Sequence, residues 1–270
     1  VEDPSDEVIL VAPFFPEYTV FVQNAGAKSV ILPPDTEHFQ ISLDAMEKAI
    51  TPHTRAVIVN SPNNPSGVVY SADTYEKLAA LLERKSKEIG HPIYLISDEP
   101  YREIIYDGLP ILYVPKFYRD TIVCYSYSKS LSLPGERIGY ILVPDCVTGS
   151  KEVYTAVCGA GRFMGFVCAP HLFQDVILKC MGQTSDVNVY DQNRKLLYNG
   201  LKEMGYDCVY PSGAFYLFVK SPEPDAKAFS DKAKKLNLLI VPADSFGCPG
   251  YVRISYCVDP DMIRQIGRAS

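Results

Sequence analysis

Four polar segments of the sequence carry residue types that can do chemistry. Lys129 lies in Ser126-Tyr127-Ser128-Lys129-Ser130, among hydroxyls and small residues. A lysine held away from water loses its charge readily and then attacks carbonyl carbon. Arg137 follows a short way downstream, and hydroxyls with a guanidinium suit a phosphate. Asp98 ends the apolar run Ile93–Ser97, where a carboxylate needs a cation or hydrogen-bond donors. Asn64 lies in Asn60-Ser61-Pro62-Asn63-Asn64-Pro65-Ser66-Gly67, directly after another apolar run. Arg253 lies in Tyr251-Val252-Arg253-Ile254-Ser255. A lysine for an aldehyde, an aspartate for a ring nitrogen and donors for a phosphate describe a site for pyridoxal 5'-phosphate (PLP).

The elements that must position these groups alternate in the front half of the chain. Val8–Ala12, Ser29–Leu32, Ala56–Val59, Ile93–Ser97, Thr121–Tyr125 and Ile138–Val143 read as strands. Glu17–Ala25 reads as a helix, and so does Ser42–Ile50 with Ser42 as N-cap. Ser71 caps a longer helix with a stripe of Tyr75, Leu78, Ala79, Leu82 and Ile89, stopped by Gly90 and Pro92. This alternation predicts a mostly parallel sheet with helices on both faces, an α/β/α sandwich whose ligands bind beyond the carboxyl ends of its strands. The four chemical segments sit at such ends. The back half has helical patterns at His171–Met181, Asp186–Met204 and Ala226–Leu236. It has short strands at Cys208–Val209, Phe215–Val219, Leu238–Val241 and Val252–Cys257. We read residues 1–182 as a large domain and 183–270 as a smaller α+β domain.

Composition excludes several other classes. Lys+Arg 26 against Asp+Glu 32 gives a net charge of -6, the wrong sign for a nucleic-acid binder. No apolar stretch approaches the roughly 18 residues of a membrane span. The eight cysteines form no C-x-x-C pair and are not clustered with the four histidines, so neither a zinc site nor a disulfide scaffold is expected. They read as buried, reduced thiols of a cytoplasmic protein.

With these residues in view, the chain resembles the aspartate aminotransferase family, the class I/II branch of the fold-type-I PLP enzymes. Asn64-Pro65-Ser66-Gly67 resembles that family's N-P-[TS]-G segment, and Asp98-Glu99-Pro100-Tyr101 its D-x-x-Y segment. Ser126-Tyr127-Ser128-Lys129, then Arg137 and Gly139, resembles S-x-[SA]-K…R-x-G, and Arg253 the arginine of a V-R-[IL] strand. Each motif is weak by itself. All four in family order, spread over nearly the whole chain, are specific.

The resemblance implies the PLP-dependent transferase fold and a role for each residue. Lys129 forms the Schiff base with PLP and shuttles the proton at the substrate α-carbon. Asp98 pairs with the ring nitrogen. Tyr101 and Asn64 hydrogen-bond the ring oxygen, Ser126, Ser128 and Arg137 hold the phosphate, and Arg253 grips the substrate carboxylate. Phe15 stands where the family places an aromatic against the cofactor face, ahead of its neighbour Phe14. The implied reaction moves an amino group from an L-amino acid to a 2-oxo acid by a ping-pong cycle in a homodimer. A C–S lyase on the same fold, or an aminotransferase-like effector domain of a transcription regulator, are the other readings.

Each assignment has a plainer counterpart. Lys129 alone reads as a surface lysine, Asp98 as a turn carboxylate, Asn64 as a turn former and Arg253 as an edge charge. The neighbouring residues favour function in each case, and for Phe15 core and cofactor wall balance. Gly159-Ala160-Gly161-Arg162-Phe163-Met164-Gly165 looks like a dinucleotide fingerprint, but its third glycine is one residue late and no strand leads into it. It reads as a backbone turn. The resemblance also leads one to expect family segments before Val8 and after Met262, and nothing in Val1–Asp6 supplies the former.

Overall fold

The computed structural model describes residues 3–266. The front of the chain runs β1 (Glu7–Val11), α1 (Glu17–Asn24), β2 (Lys28–Leu32), α2 (Leu43–Ala49), β3 (Thr54–Asn60), α3 (Ala72–Ile89) and β4 (Tyr94–Asp98). It continues with β5 (Thr121–Ser126), α4 (Tyr127–Ser130) and β6 (Gly139–Leu142). These strands form one sheet in the order β2-β1-β3-β4-β5-β6. All neighbours are parallel except β5 and β6.

Side-chain alternation explains the layering. Ile9, Val11, Val57, Val59 and Leu95 pack on one face with Met46 of α2 and Leu78 and Leu82 of α3. Val8, Leu10 and Ala56 pack on the other with Tyr18 and Val22 of α1. Both faces are therefore covered around β1 and β3, as the apolar strands required, while the edge strand β6 stays largely exposed. The caps follow the expected chemistry. Ser42 accepts from the Ala45 N–H and Ser71 from the Thr74 N–H. Gly90 closes α3 at φ 83, a left-handed conformation that favours glycine.

The chain goes on through α5 (Ser150–Phe163), α6 (His171–Lys179), α7 (Val187–Glu203), β7 (Cys208–Val209) and β8 (Tyr216–Lys220). It ends with α8 (Ala226–Lys235), β9 (Val241–Pro242), β10 (Tyr251–Ser255) and α9 (Pro260–Ile266). The second sheet is antiparallel, β7-β8-β10-β9. Its core of Leu197, Leu201, Leu217, Val219, Val252 and Ile254 also takes in Tyr101, Ile104 and Tyr106 from the loop after β4. That loop joins the two cores.

Three expectations need correction. Gly159 and Gly161 do not form a turn but lie inside α5, and only Gly165, beyond its end, is left-handed at φ 86. Each helical glycine costs about 1 kcal/mol against alanine, which hides the helix in the sequence. The strand expected at Leu238–Val241 is reduced to Val241–Pro242, because the Leu238 N–H donates to the Ala233 carbonyl at the end of α8 and the Ile240 carbonyl accepts from Ser230 Oγ. Of the cysteines, Cys208 and Cys248 are buried, but Cys146, Cys158, Cys168 and Cys257 are exposed. Cys158 lies on α5, which buries none of its residues. The expectations for Val1 and Glu2, and for the chain after Ile266, lie outside the described residues.

Candidate active site

The carboxyl ends of β3, β4 and β5 stand side by side, with Asn60 opposite Asp98 and Asp98 opposite Cys124. Beyond them opens a cleft of ≈ 680 Å³. That size is ordinary for a small-molecule site. Phe15, Asn64, Asp98, Tyr101, Ser126, Ser128, Lys129, Arg137 and Arg253 all line it. Every residue singled out in the sequence is thus brought to one cleft, from segments up to 238 positions apart in the chain.

Strand alternation decides which of two adjacent acids serves the cleft. Glu99 is buried away from it, accepting from Ser97 Oγ and Arg102 Nε, each at 2.7 Å. Asp98 lines the cleft. Its Oδ2 accepts the Tyr18 hydroxyl at 2.5 Å, while its Oδ1 has no donor among the described residues. Burial raises the Asp98 carboxyl to about 6; the Tyr18 hydrogen bond opposes this and the Glu99 charge adds to it. Burial, then the Asp98 charge, raises Tyr18 well above its usual range, so its phenol remains a donor. Burial and the same acids push the Cys124 thiol up to about 12 and keep it protonated.

Asn60 fixes two walls at once. Its Nδ2 donates to the Asp98 carbonyl at 2.9 Å, and its Oδ1 accepts the Asn64 N–H at 2.7 Å. Gly67 then lets this turn press against β8. It sits at φ 72, and a Cβ there would lie 2.6 Å from the Tyr216 carbonyl oxygen. Gly139 is required for a similar reason, since its Cβ would lie 2.2 Å from the Tyr125 carbonyl oxygen. The glycines of both motifs are therefore close-approach positions.

Lys129 lies in the short helix α4 rather than in an open loop. Ser126 is its N-cap and accepts from the Ser128 N–H at 3.1 Å, with the two Oγ atoms 2.7 Å apart. Lys129 is half-buried with Nζ 5.6 Å from the Phe215 ring centre. Among the described residues no carboxylate pairs with it. Arg137 is exposed and left-handed at φ 52, and one of its nitrogens donates to the Pro134 carbonyl at 2.9 Å.

Arg253, on β10, donates through Nη1 to Asn64 Oδ1 at 2.7 Å. Its guanidinium carbon lies 4.4 Å from the Tyr216 ring centre and 5.0 Å from that of Phe246. Its other nitrogens have no partner among the described residues, which leaves a fork suited to a carboxylate. Phe15 is half-buried at the cleft wall, edge-on to Tyr18 at 5.7 Å, whereas Phe14 is buried in the core.

Sequence reasoning missed three members of the site. Tyr18 lies one helical turn after Phe15, a spacing that could have suggested it. Asn60 ends a strand in register with Asp98, also a usable signal. Tyr216, whose hydroxyl lies 3.1 Å from that of Tyr101, sits in an unbroken apolar run and gave none.

The donor set fits PLP. A half-buried lysine has no counter-ion among the described residues, a carboxylate keeps one oxygen undonated among them, and the Ser126 and Ser128 hydroxyls line the same cleft as the Arg137 guanidinium. An aromatic wall and a carboxylate-binding fork complete the cleft.

Comparison with known proteins agrees with this reading. The family model for aminotransferase class I and II matches residues 1–269. Aromatic-amino-acid aminotransferase 2 of Thermococcus litoralis is 33% identical over 93% of this chain and 66% of its own length. Aspartate aminotransferase of Pyrococcus abyssi is 32% identical over 93% of this chain and 65% of its own. The chain thus spans about two thirds of the length of these curated relatives. The crystal structure of an amino transferase from Eubacterium rectale superposes with a TM-score of 0.97 at 62% identity, over 100% of this chain and 68% of that one. A Thermus thermophilus aspartate aminotransferase variant does so with 0.88 at 29% identity, over 100% of this chain and 71% of that one. The motifs, the cleft they share and the match from end to end of the chain agree, and the chain belongs to the class I and II aminotransferase family.

Proposed function

We propose that the cleft binds PLP and moves an amino group from an L-amino acid to a 2-oxo acid. One observation carries this reading: among the described residues, a half-buried lysine without a counter-ion and a carboxylate with one undonated oxygen share a cleft with an arginine whose nitrogens other than Nη1 have no partner. When bound, PLP supplies an aldehyde for the amino group and an electron-withdrawing ring. Lys129 Nζ would hold the aldehyde carbon, and later carry the proton at the substrate α-carbon. Asp98 Oδ1 would accept the ring N–H and keep it protonated, with Tyr18 fixing the other oxygen. Tyr101 and Asn64 would orient the ring through its oxygen, and Phe15 would cover one face. Ser126, Ser128 and Arg137 would hold the phosphate. Arg253 would fix the substrate carboxylate, leaving the side-chain pocket to select the donor.

The relatives' names, for aspartate and aromatic amino acids, support transfer over a C–S lyase or a sensor domain. We further propose a division near residue 182 into two domains, on the change of element pattern there, a cytoplasmic location, on the cysteine usage, and a homodimer, on the family resemblance.

The test is the absorption spectrum of the purified chain with added PLP, repeated for Lys129→Ala. A band that borohydride fixes covalently on Lys129 is expected. Its absence, in this chain and in a longer one, would overturn the proposal.

A further inference from the structure

Lys129 sits on α4, a helix of four residues, and a single turn does not hold its own shape in water. Its place is set by what grips the residue after it. Ser130 is buried, at 2% exposure, and its backbone carbonyl accepts the Ser185 N–H at 2.6 Å from the segment between α6 and α7. The Ser130 hydroxyl lies 2.8 Å from that of Tyr125, on β5. Tyr125 is buried too, and strand alternation turns it away from the cleft that its neighbours Cys124 and Ser126 line. Its hydroxyl also donates to Glu103 Oε2 at 2.9 Å. A phenol has one proton and a carboxylate only accepts, so the order of donors is fixed. Tyr125 donates to Glu103, and Ser130 donates to Tyr125. Burial raises the Tyr125 phenol above its ordinary value, which keeps that proton in place. The Tyr125 ring is itself held, with its centre 4.4 Å from the Arg102 guanidinium carbon and 5.1 Å from the stacked ring of Tyr140.

We infer that Tyr125 and Ser130 are positioning residues for Lys129. Their directed hydrogen bonds pin the end of α4 back onto the strand it grows from, five positions upstream of Ser130. That fixes the backbone from which the Lys129 side chain starts. A long, flexible side chain delivers its nitrogen to one carbon reliably only from a fixed base. The anchor lies on the side of β5 opposite the cleft, so it steadies Lys129 without taking space from a ligand. The inference rests on the proposed PLP reading, which gives Lys129 its task. It adds two residues that lie outside the fixed positions of the lysine motif and that do not line the cleft.

The experiment compares the parent, Tyr125→Phe, Ser130→Ala and the double variant in two measurements. One is the rate at which saturating PLP develops the lysine-dependent absorption band. The other is the dissociation constant for PLP in the same four proteins carrying Lys129→Ala, where no bond to Lys129 can form. Tyr125→Phe keeps the ring beside Arg102 and removes only its hydroxyl, and Ser130→Ala removes the hydroxyl that faces it. Each should slow the band about 10-fold, within the roughly 100-fold that a displacement of about 1 Å can cost. The double variant should be no slower than the single ones, because both break the same bond. In the Lys129→Ala background the dissociation constant should stay the same, because the anchor acts through Lys129. Unchanged rates in both single variants would overturn the inference and leave the PLP reading intact. So would effects that multiply in the double variant, or a PLP affinity lost equally with and without Lys129, which marks a general loosening of the cleft. A parent protein without any lysine-dependent band, in this chain and in a longer one, would overturn the PLP reading and this inference together.

Discussion

Asp98 should make the cofactor-free protein less stable than it could be, and the effect has a defined size and pH window. Its carboxyl is raised from 3.8 to about 6, mainly by burial. Below 3.8 the group is protonated whether the chain is folded or not, and it contributes nothing to pH dependence. Between 3.8 and about 6 the folded chain holds a proton that the unfolded chain has released, so stability falls as pH rises. Above about 6 both states are ionised and the full penalty applies. A displacement of this size corresponds to about 3 kcal/mol. Asp98→Asn keeps the shape and an oxygen that can accept from Tyr18, but removes the charge. It should therefore be more stable than the parent at pH 8 by up to about 3 kcal/mol, or roughly 5–10 °C in Tm. The gain should shrink as pH falls through the window and vanish near its lower end. Thermal unfolding of both proteins without PLP, across pH 4 to 8, measures it. A variant no more stable than the parent at pH 8, or a gain that grows on acidification, would refute the argument. The same variant should lose the lysine-dependent spectrum or its activity, so the group is retained at a cost in stability.

Other substitutions probe separate parts of the argument. Arg253→Lys keeps the charge but not the fork or the 2.7 Å bond to Asn64, and should weaken carboxylate binding about 10- to 100-fold, read as a dissociation constant for propionate. Gly139→Ala forces a Cβ to within 2.2 Å of the Tyr125 carbonyl oxygen and should destabilise the β5–β6 pair by about 1–3 kcal/mol or more, read from urea unfolding. Arg194→Met removes a fully buried guanidinium that holds Asp107 through two 2.8 Å bonds. It should cost about 3 kcal/mol, the low end of the usual range because Asp107 stays 39% exposed. Arg194 holds the Asp107 carboxyl down at about 2 from 3.8, so its contribution is present above 3.8 and lost as pH falls toward 2. The deficit of Arg194→Met should therefore close at lower pH than the Asp98→Asn gain does.

What the sequence disclosed and what it hid follow from the range of the forces involved. Ala56–Val59 and Ile93–Ser97 were legible because burial on two faces demands unbroken apolar runs, and the residues just after them stand out by contrast. The α3 helix was legible because Ser71 and Gly90 do their capping locally. The α5 helix was hidden because Gly159 and Gly161 lower its local propensity and no buried stripe marks it. Gly67 and Gly139 were legible as motif members, but their reason, a carbonyl oxygen within reach of any Cβ, belongs to tertiary structure. Tyr18 and Tyr216 escaped because each acts on a partner far along the chain, Asp98 and Tyr101 respectively. No periodicity in a single sequence records such a pairing.

The two missed tyrosines also separate two kinds of demand on the site. Among the described residues, Lys129, Asp98 and Arg253 each keep bonding capacity unspent, which is unfavourable in a folded chain unless a ligand uses it. Tyr18 donates its proton to Asp98, and the Tyr216 hydroxyl pairs with that of Tyr101, so these supporting groups hold the open atoms in place. Removing an open group should therefore relieve the cofactor-free protein, as argued for Asp98. Removing a supporting hydroxyl should do the reverse. Tyr18→Phe withdraws the 2.5 Å donor from a carboxyl already raised to about 6, so that carboxyl should rise further and its ionised form become harder to maintain. Above pH 6 the cofactor-free variant should be less stable than the parent by about 1–2 kcal/mol. Below pH 4, where Asp98 is protonated in both proteins, the gap should narrow. Asp98→Asn and Tyr18→Phe thus act on one hydrogen bond and are expected to move stability in opposite directions at pH 8. Equal signs would mean that the cost at this position lies in packing, and that the charge of Asp98 does not set it.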